Sequence, residues 1–155
     1  MQLQFTAQKG IVINDREEIL LIKYADALPS LSNKLNGKYA LPGGKIEIGE
    51  IPDQSIISEV FDETGITCTP SIPIFVWNWE YEKGDDLIQI NAIMRICTYT
   101  KGIPKVFDQE EELKITEVVW KPLTQISSLP VVDDELPGIN FFLENRELLI
   151  QLVDK

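Results

Sequence analysis

Glu59, Asp62 and Glu63 form an E-x-x-D-E run, with Glu50 upstream of it. In a helix turning about 100° per residue, the three side chains fall within an arc of roughly 100°. Like charges at this spacing repel one another. A hard divalent cation such as Mg²⁺ or Mn²⁺ relieves that repulsion, because it favours carboxylate and carbonyl oxygens. The chain contains no His, which excludes a Ser-His-Asp triad, a Cys-His pair and any His-containing zinc site. Hydrolytic chemistry would therefore fall to carboxylates and a metal they hold. A solvated acidic helix face would carry the same residues, so the surrounding spacing has to decide.

The elements that must position these groups are legible around them. Pro52 suits the first position of a helix and Asp53 favours its positive end. Gly65 is placed to stop that helix at a left-handed cap. Ile57, Val60, Phe61 and Thr64 share one side of the predicted Pro52–Thr64 helix and are expected to pack. Just upstream, Pro42-Gly43-Gly44 reads as a turn where backbone can approach a ligand closely.

The wider spacing runs Gly44, five residues, Glu50, seven residues, then Ser58 through Ile66. It resembles the signature of the Nudix hydrolases, G-x5-E-x7-R-E-U-x-E-E-x-G-U, where U is bulky and apolar. Gly44, Glu50, Glu59, Val60, Glu63, Gly65 and Ile66 match at the right intervals. The LPGGKIE-x-GE run from Leu41 to Glu50 is especially similar to the antimutator nucleoside triphosphate pyrophosphatases of that superfamily. Two positions depart. Ser58 replaces an Arg that in the family orients a catalytic Glu, and Asp62 replaces a Glu.

The resemblance implies a single Nudix domain over residues 1–155, an α/β/α sandwich with a mixed β-sheet between helices. It implies hydrolysis of a nucleoside diphosphate linked to another group X, by metal-assisted attack of water on phosphorus. Glu59 and Glu63 would bind Mg²⁺ or Mn²⁺ directly, and Asp62 directly or through water. Glu50 would serve an outer shell or a further ion, and the Gly43 carbonyl a neutral ligand. The general base would be Glu59 or a member of the Glu110-Glu111-Glu112 cluster, with Glu112 preferred. Gly44, Lys38, Lys45, Trp79 and Tyr81 are the candidate substrate contacts. A nucleotide-binding domain with little hydrolysis is the competing reading, motivated by Ser58 and Asp62.

The composition fits one globular domain: 155 residues, 44% of them hydrophobic. The formal charge of −11 disfavours nucleic acid as a partner, since a phosphate backbone needs a basic surface. No leader pattern or bilayer-length apolar run is present, so a cytoplasmic protein without membrane contact is expected. Family members often dimerise, which leaves room for a homodimer. Cys68 and Cys97 lie far apart in sequence among strand-like residues and read as two buried free thiols.

Along the rest of the chain, residues 3–13 and 17–25 read as a hairpin turning at Asn14-Asp15. Ala25 to Gly37 is a long loop, with Lys34 and Lys38 placed to meet phosphates. Tyr39-Ala40-Leu41 is a short strand. Ile66 to Tyr81 is β-rich, with Pro70 and Pro73 interrupting it or holding it at an edge. Its alternation puts Phe75, Trp77, Trp79 and Tyr81 on one face, as core or as a platform for a nucleobase. Lys83-Gly84-Asp85 turns the chain into a partner strand, Leu87 to Thr98, and a further strand spans Glu117 to Lys121. Pro130 to Pro137 reads as a loop, and residues 139–153 as one amphipathic C-terminal helix.

Overall fold

The computed structural model describes residues 1–25, 35–108 and 114–154. The Lys34 side chain, most of the Ala25–Gly37 loop and the Glu110–Glu112 cluster lie outside the described residues. Among those described, seven strands form one mixed sheet: β1 (Gln2–Ile13), β2 (Glu18–Ala25), β3 (Tyr39–Ala40), β4 (Gly43–Lys45), β5 (Thr67–Lys83), β6 (Asp86–Lys101) and β7 (Lys114–Pro122). The helices are α1 (Pro52–Thr64), α2 (Leu136–Glu144) and α3 (Arg146–Val153). No helix of the described residues is long and apolar enough to cross a membrane.

The β1–β2 hairpin turns where Asn14 caps its own loop. The Asn14 Oδ1 accepts from the Arg16 and Glu18 backbone N–H groups, both at 3.0 Å. From there the two strands diverge. β3 pairs with β2, Ile22 opposite Ala40, whereas β4 pairs with β1, Lys9 opposite Gly43. The chain steps across the gap at Leu41-Pro42, where the Gly10 N–H donates to the Pro42 carbonyl at 2.9 Å. The expected glycine turn is thus a short strand with its bend one residue earlier, because Gly43 and Gly44 can lie flush against β1. On the other side, β6 runs parallel to β1, and β5 forms the outer strand against β6. Pro70 and Pro73 mark register shifts in β5, as their missing N–H groups require.

The sheet is covered on both faces. On one, Ile56 and Val60 of α1 pack against Val12, Leu20, Ile66, Cys68 and Cys97. On the other, Ile139 and Phe142 of α2 and Leu149 of α3 pack against Ile11, Ile19, Leu21, Met94 and Ile96. Cys68 and Cys97 are buried and free. Phe75 and Trp77 pack against the second core, while Trp79 and Tyr81 join Leu3, Phe5, Ala7, Ile88 and Ile90.

Two helical expectations need correction. In α1 the buried side chains are Ser55, Ile56, Val60 and Thr64, whereas Phe61 is 46% exposed and Ile57 only half-buried. The helix is rotated so that Glu59 and Glu63 can lie against β4, which carries Phe61 out toward water. The C-terminal helix is two helices that break at Asn145. The Asn145 Nδ2 donates to the Phe141 carbonyl at 2.9 Å and so competes with continuation of the turn. In addition, α2 begins at Leu136 after a short 3-10 turn, Asp133–Glu135, inside the segment expected to be loop.

Candidate active site

The α1 helix delivers the carboxylates to the glycine strand, and both of its ends are fixed. Pro52 occupies its first turn and Asp53 sits beside the positive end. At the other end Gly65 adopts φ 76°, and its N–H donates to the Phe61 carbonyl at 2.8 Å, the left-handed cap expected from sequence.

Between those ends, Glu59 and Glu63 are half-buried against β4. The Gly43 N–H donates to the Glu63 Oε1 at 2.6 Å, a short charge-assisted bond. A Cβ on Gly44 would stand 2.7 Å from the Glu59 carboxyl carbon, so the glycine leaves the space that this carboxylate fills. Gly43 has φ +151°, and a Cβ there would overlap the Gln8 backbone carbonyl. Both glycines therefore serve close approach: one of β4 to β1, the other of β4 to the acidic helix.

The remaining predicted residues are placed less centrally. Asp62 and Glu50 are exposed. The Glu50 carboxylate accepts the Glu47 N–H at 2.6 Å and closes the loop before α1. Lys45 lies with its ammonium 4.4 Å from the centre of the Phe5 ring, and Lys38 stands 3.6 Å from Asp133. Trp79 and Tyr81 are half-buried on the face that includes Phe5, with the Trp77 and Trp79 ring centres 6.2 Å apart. Glu112 lies outside the described residues. Among the described residues, no three acidic or sulfur side chains converge on one point.

Two charged groups that sequence reasoning passed over lie beside this arrangement. Lys9 sits in β1 directly opposite Gly43. Burial alone would lower its pKa, but Tyr24, Glu63, Glu135 and Glu59 together outweigh that and hold the ammonium above its ordinary range. Glu135 is buried, and its Oε1 accepts the Leu41 N–H at 2.7 Å. Burial pushes its carboxyl up to about 7, against the opposing pull of Lys9 and of that hydrogen bond. The available signal was a lysine inside the apolar strand TAQKGIVI, and a glutamate between Val131-Val132 and the apolar face of a helix.

The donor atoms gathered here are all oxygens: two glutamates packed on a glycine strand, with backbone close behind them. Such a set fits a hard divalent cation. A model of the NUDIX domain matches residues 5–139. The chain belongs to this family. This Nudix chain is 43% identical over 86 residues to an 8-oxo-dGTP diphosphatase of Escherichia coli, a stretch covering 48% of this chain and 63% of that protein. It is 26% identical over 128 residues to an ADP-ribose pyrophosphatase of Methanocaldococcus jannaschii, covering 83% of this chain and 70% of that one. The alignment thus spans less than two thirds of the Escherichia coli relative. A MutT protein from Methanosarcina mazei has the same fold, with a TM-score of 0.70 at 20% identity over 94% of this chain and 96% of that one. Nudix hydrolases generally use divalent metal cations, and their substrates are nucleotides.

Proposed function

We propose that this Nudix domain hydrolyses the pyrophosphate linkage of a nucleoside diphosphate linked to X, with a nucleoside triphosphate, oxidised purine forms included, as first substrate and ADP-ribose as second. The observation that carries the reading is the packing of Glu59 and Glu63 onto Gly43-Gly44. The 43% identity over 86 residues to the Escherichia coli 8-oxo-dGTP diphosphatase supports taking the triphosphates first.

Glu59, Glu63 and the Gly43 carbonyl would hold Mg²⁺ or Mn²⁺, with Asp62 and Glu50 reaching it directly or through water. When bound, the cation neutralises phosphate charge and stabilises the attacking and leaving oxygens. The chain's own part is positional. The Gly43 N–H fixes the Glu63 carboxylate, and Gly44 leaves Glu59 the room to lie along β4. A carboxylate, Glu59 or one of the 110–112 run with Glu112 preferred, takes the proton of the water whose oxygen attacks phosphorus. The bridging P–O bond breaks, and with a triphosphate the products are a monophosphate and pyrophosphate. Lys38, Lys45, Trp79 and Tyr81 are the proposed contacts to phosphate and base. An aromatic face with an ammonium held over Phe5 suits a flat, polar-edged ring.

The test is product formation from nucleoside triphosphates, oxidised nucleoside triphosphates, ADP-ribose and diadenosine polyphosphates, with Mg²⁺, with Mn²⁺ and with EDTA. Turnover that requires metal and vanishes in Glu63→Gln supports the reading and names X. Binding of a nucleotide without turnover of any compound overturns it in favour of a binding domain.

A further inference from the structure

The signature's arginine would orient a catalytic glutamate from within the helix. This chain has an exposed Ser58 there instead. Another arginine, Arg95 in β6, sits against the start of the same helix. Its side chain is only 11% exposed, and each nitrogen of its fork has a partner. Nη2 stands 2.6 Å from the Asp53 Oδ1 in the first turn of α1. Nη1 donates to the Gln8 Oε1 at 3.0 Å, while Nε and Nη2 donate to the Ser71 carbonyl at 3.0 and 2.8 Å. Ser71 lies where β5 shifts register between Pro70 and Pro73, which turns its carbonyl toward Arg95 rather than into the ladder.

Gln8 completes the connection. It is buried, and its Nε2 donates to the carbonyl of Pro52, the first residue of α1, at 2.8 Å. Its backbone stands opposite Gly44. One residue thus ties the glycine strand to the beginning of the acidic helix, and Arg95 locks that residue and the helix together. The backbone N–H to i−4 carbonyl bonds make α1 one stiff unit from Pro52 to Thr64, so a shift at its start carries Glu59 and Glu63 with it. A displacement of 1 Å at a reacting group costs on the order of 10²-fold in rate.

We propose that Arg95 and Gln8 are positioning residues that hold Glu59 and Glu63 against Gly43-Gly44, in place of the arginine missing at position 58. The functional consequence rests on the hydrolase reading above; the placement of the helix does not. Lys cannot substitute fully, because one ammonium cannot reproduce a planar fork bonded to three partners.

The experiment compares wild type with Arg95→Met, Arg95→Lys and Asp53→Asn, each well below its unfolding midpoint. Three readouts are taken: exchange of the Gly43 amide by NMR, Mn²⁺ affinity by electron paramagnetic resonance, and kcat and KM. In Arg95→Met, Gly43 exchange rises, and Mn²⁺ affinity and kcat fall about 10-fold or more while KM changes little. Arg95→Lys recovers part of each, and Asp53→Asn shows the same directions at smaller size. A folded Arg95→Met with Gly43 exchange and Mn²⁺ affinity like wild type overturns the proposal. If Arg95→Met does not fold, unchanged values in Asp53→Asn overturn it instead. If wild type neither binds Mn²⁺ nor turns substrate over, the hydrolase reading falls, and Gly43 exchange still decides the clamp.

Discussion

Replacing Gly44 with Ala puts a methyl group 2.7 Å from the Glu59 carboxyl carbon. Carbon atoms rest at about 3.5–4.0 Å from one another, so the carboxylate has to retreat by roughly 1 Å. It is the far end of a flexible side chain and can do so without moving backbone, and Gly44 itself has no positive φ to strain. Stability should therefore stay within about 1 kcal/mol of wild type, or rise slightly through a stiffer unfolded chain. Activity should not survive as well, since a 1 Å misplacement of a reacting group costs on the order of 10²-fold in kcat. Gly43→Ala is the contrast. There the methyl meets the Gln8 backbone, which cannot retreat, at φ +151°, so about 2 kcal/mol or more of stability is lost along with activity. The assay is kcat for the best substrate with saturating metal, beside thermal unfolding of both variants. Gly44→Ala with kcat within twofold of wild type would refute the placement of Glu59 as catalytic. So would a loss of stability matching that of Gly43→Ala.

Other outcomes follow from the same geometry. Glu63→Gln keeps an oxygen for the Gly43 N–H and should fold, yet lose more than the roughly 10–100-fold in activity that outer-shell changes cost, as should wild type in EDTA. Since the Glu135 carboxyl is pushed up from 4.5 to about 7 in the fold, the native state holds its proton where the unfolded chain releases it. Its contribution is therefore complete below pH 4.5 and is lost as pH rises through about 7, by up to about 3 kcal/mol. Urea unfolding of wild type against Glu135→Gln at pH 5 and pH 8 reads this difference, and parallel pH dependences would contradict it. Ile56→Ala should cost about 2–5 kcal/mol, as for a fully buried residue, whereas Phe61→Ser should cost less than about 1 kcal/mol. The reverse ranking in denaturant titrations would mean that the helix packs on its other side.

The sequence by itself determined the local features whose causes lie within a few residues. The start of α1 at Pro52, its left-handed end at Gly65, the Asn14 turn and the edge character of a strand carrying Pro70 and Pro73 all follow from backbone chemistry of the residues involved. The motif spacing likewise placed Glu59 and Glu63 on one arc of one helix, because helical periodicity is a local rule. What only the tertiary structure decided was rotation and partnership. Periodicity allowed α1 to bury Phe61; the contact of Glu59 and Glu63 with β4 turned it toward Ile56 instead. Cys68 and Cys97, distant in the chain, share one core because β5 folds back on β6. Gln8 and Lys9 of β1, Arg95 of β6 and Glu135 come from three separate segments, and no sequence spacing relates those segments. They meet at the glycine strand and at the start of α1 because the sheet brings β1, β4 and β6 together, and a buried charge must find a partner wherever the fold supplies one.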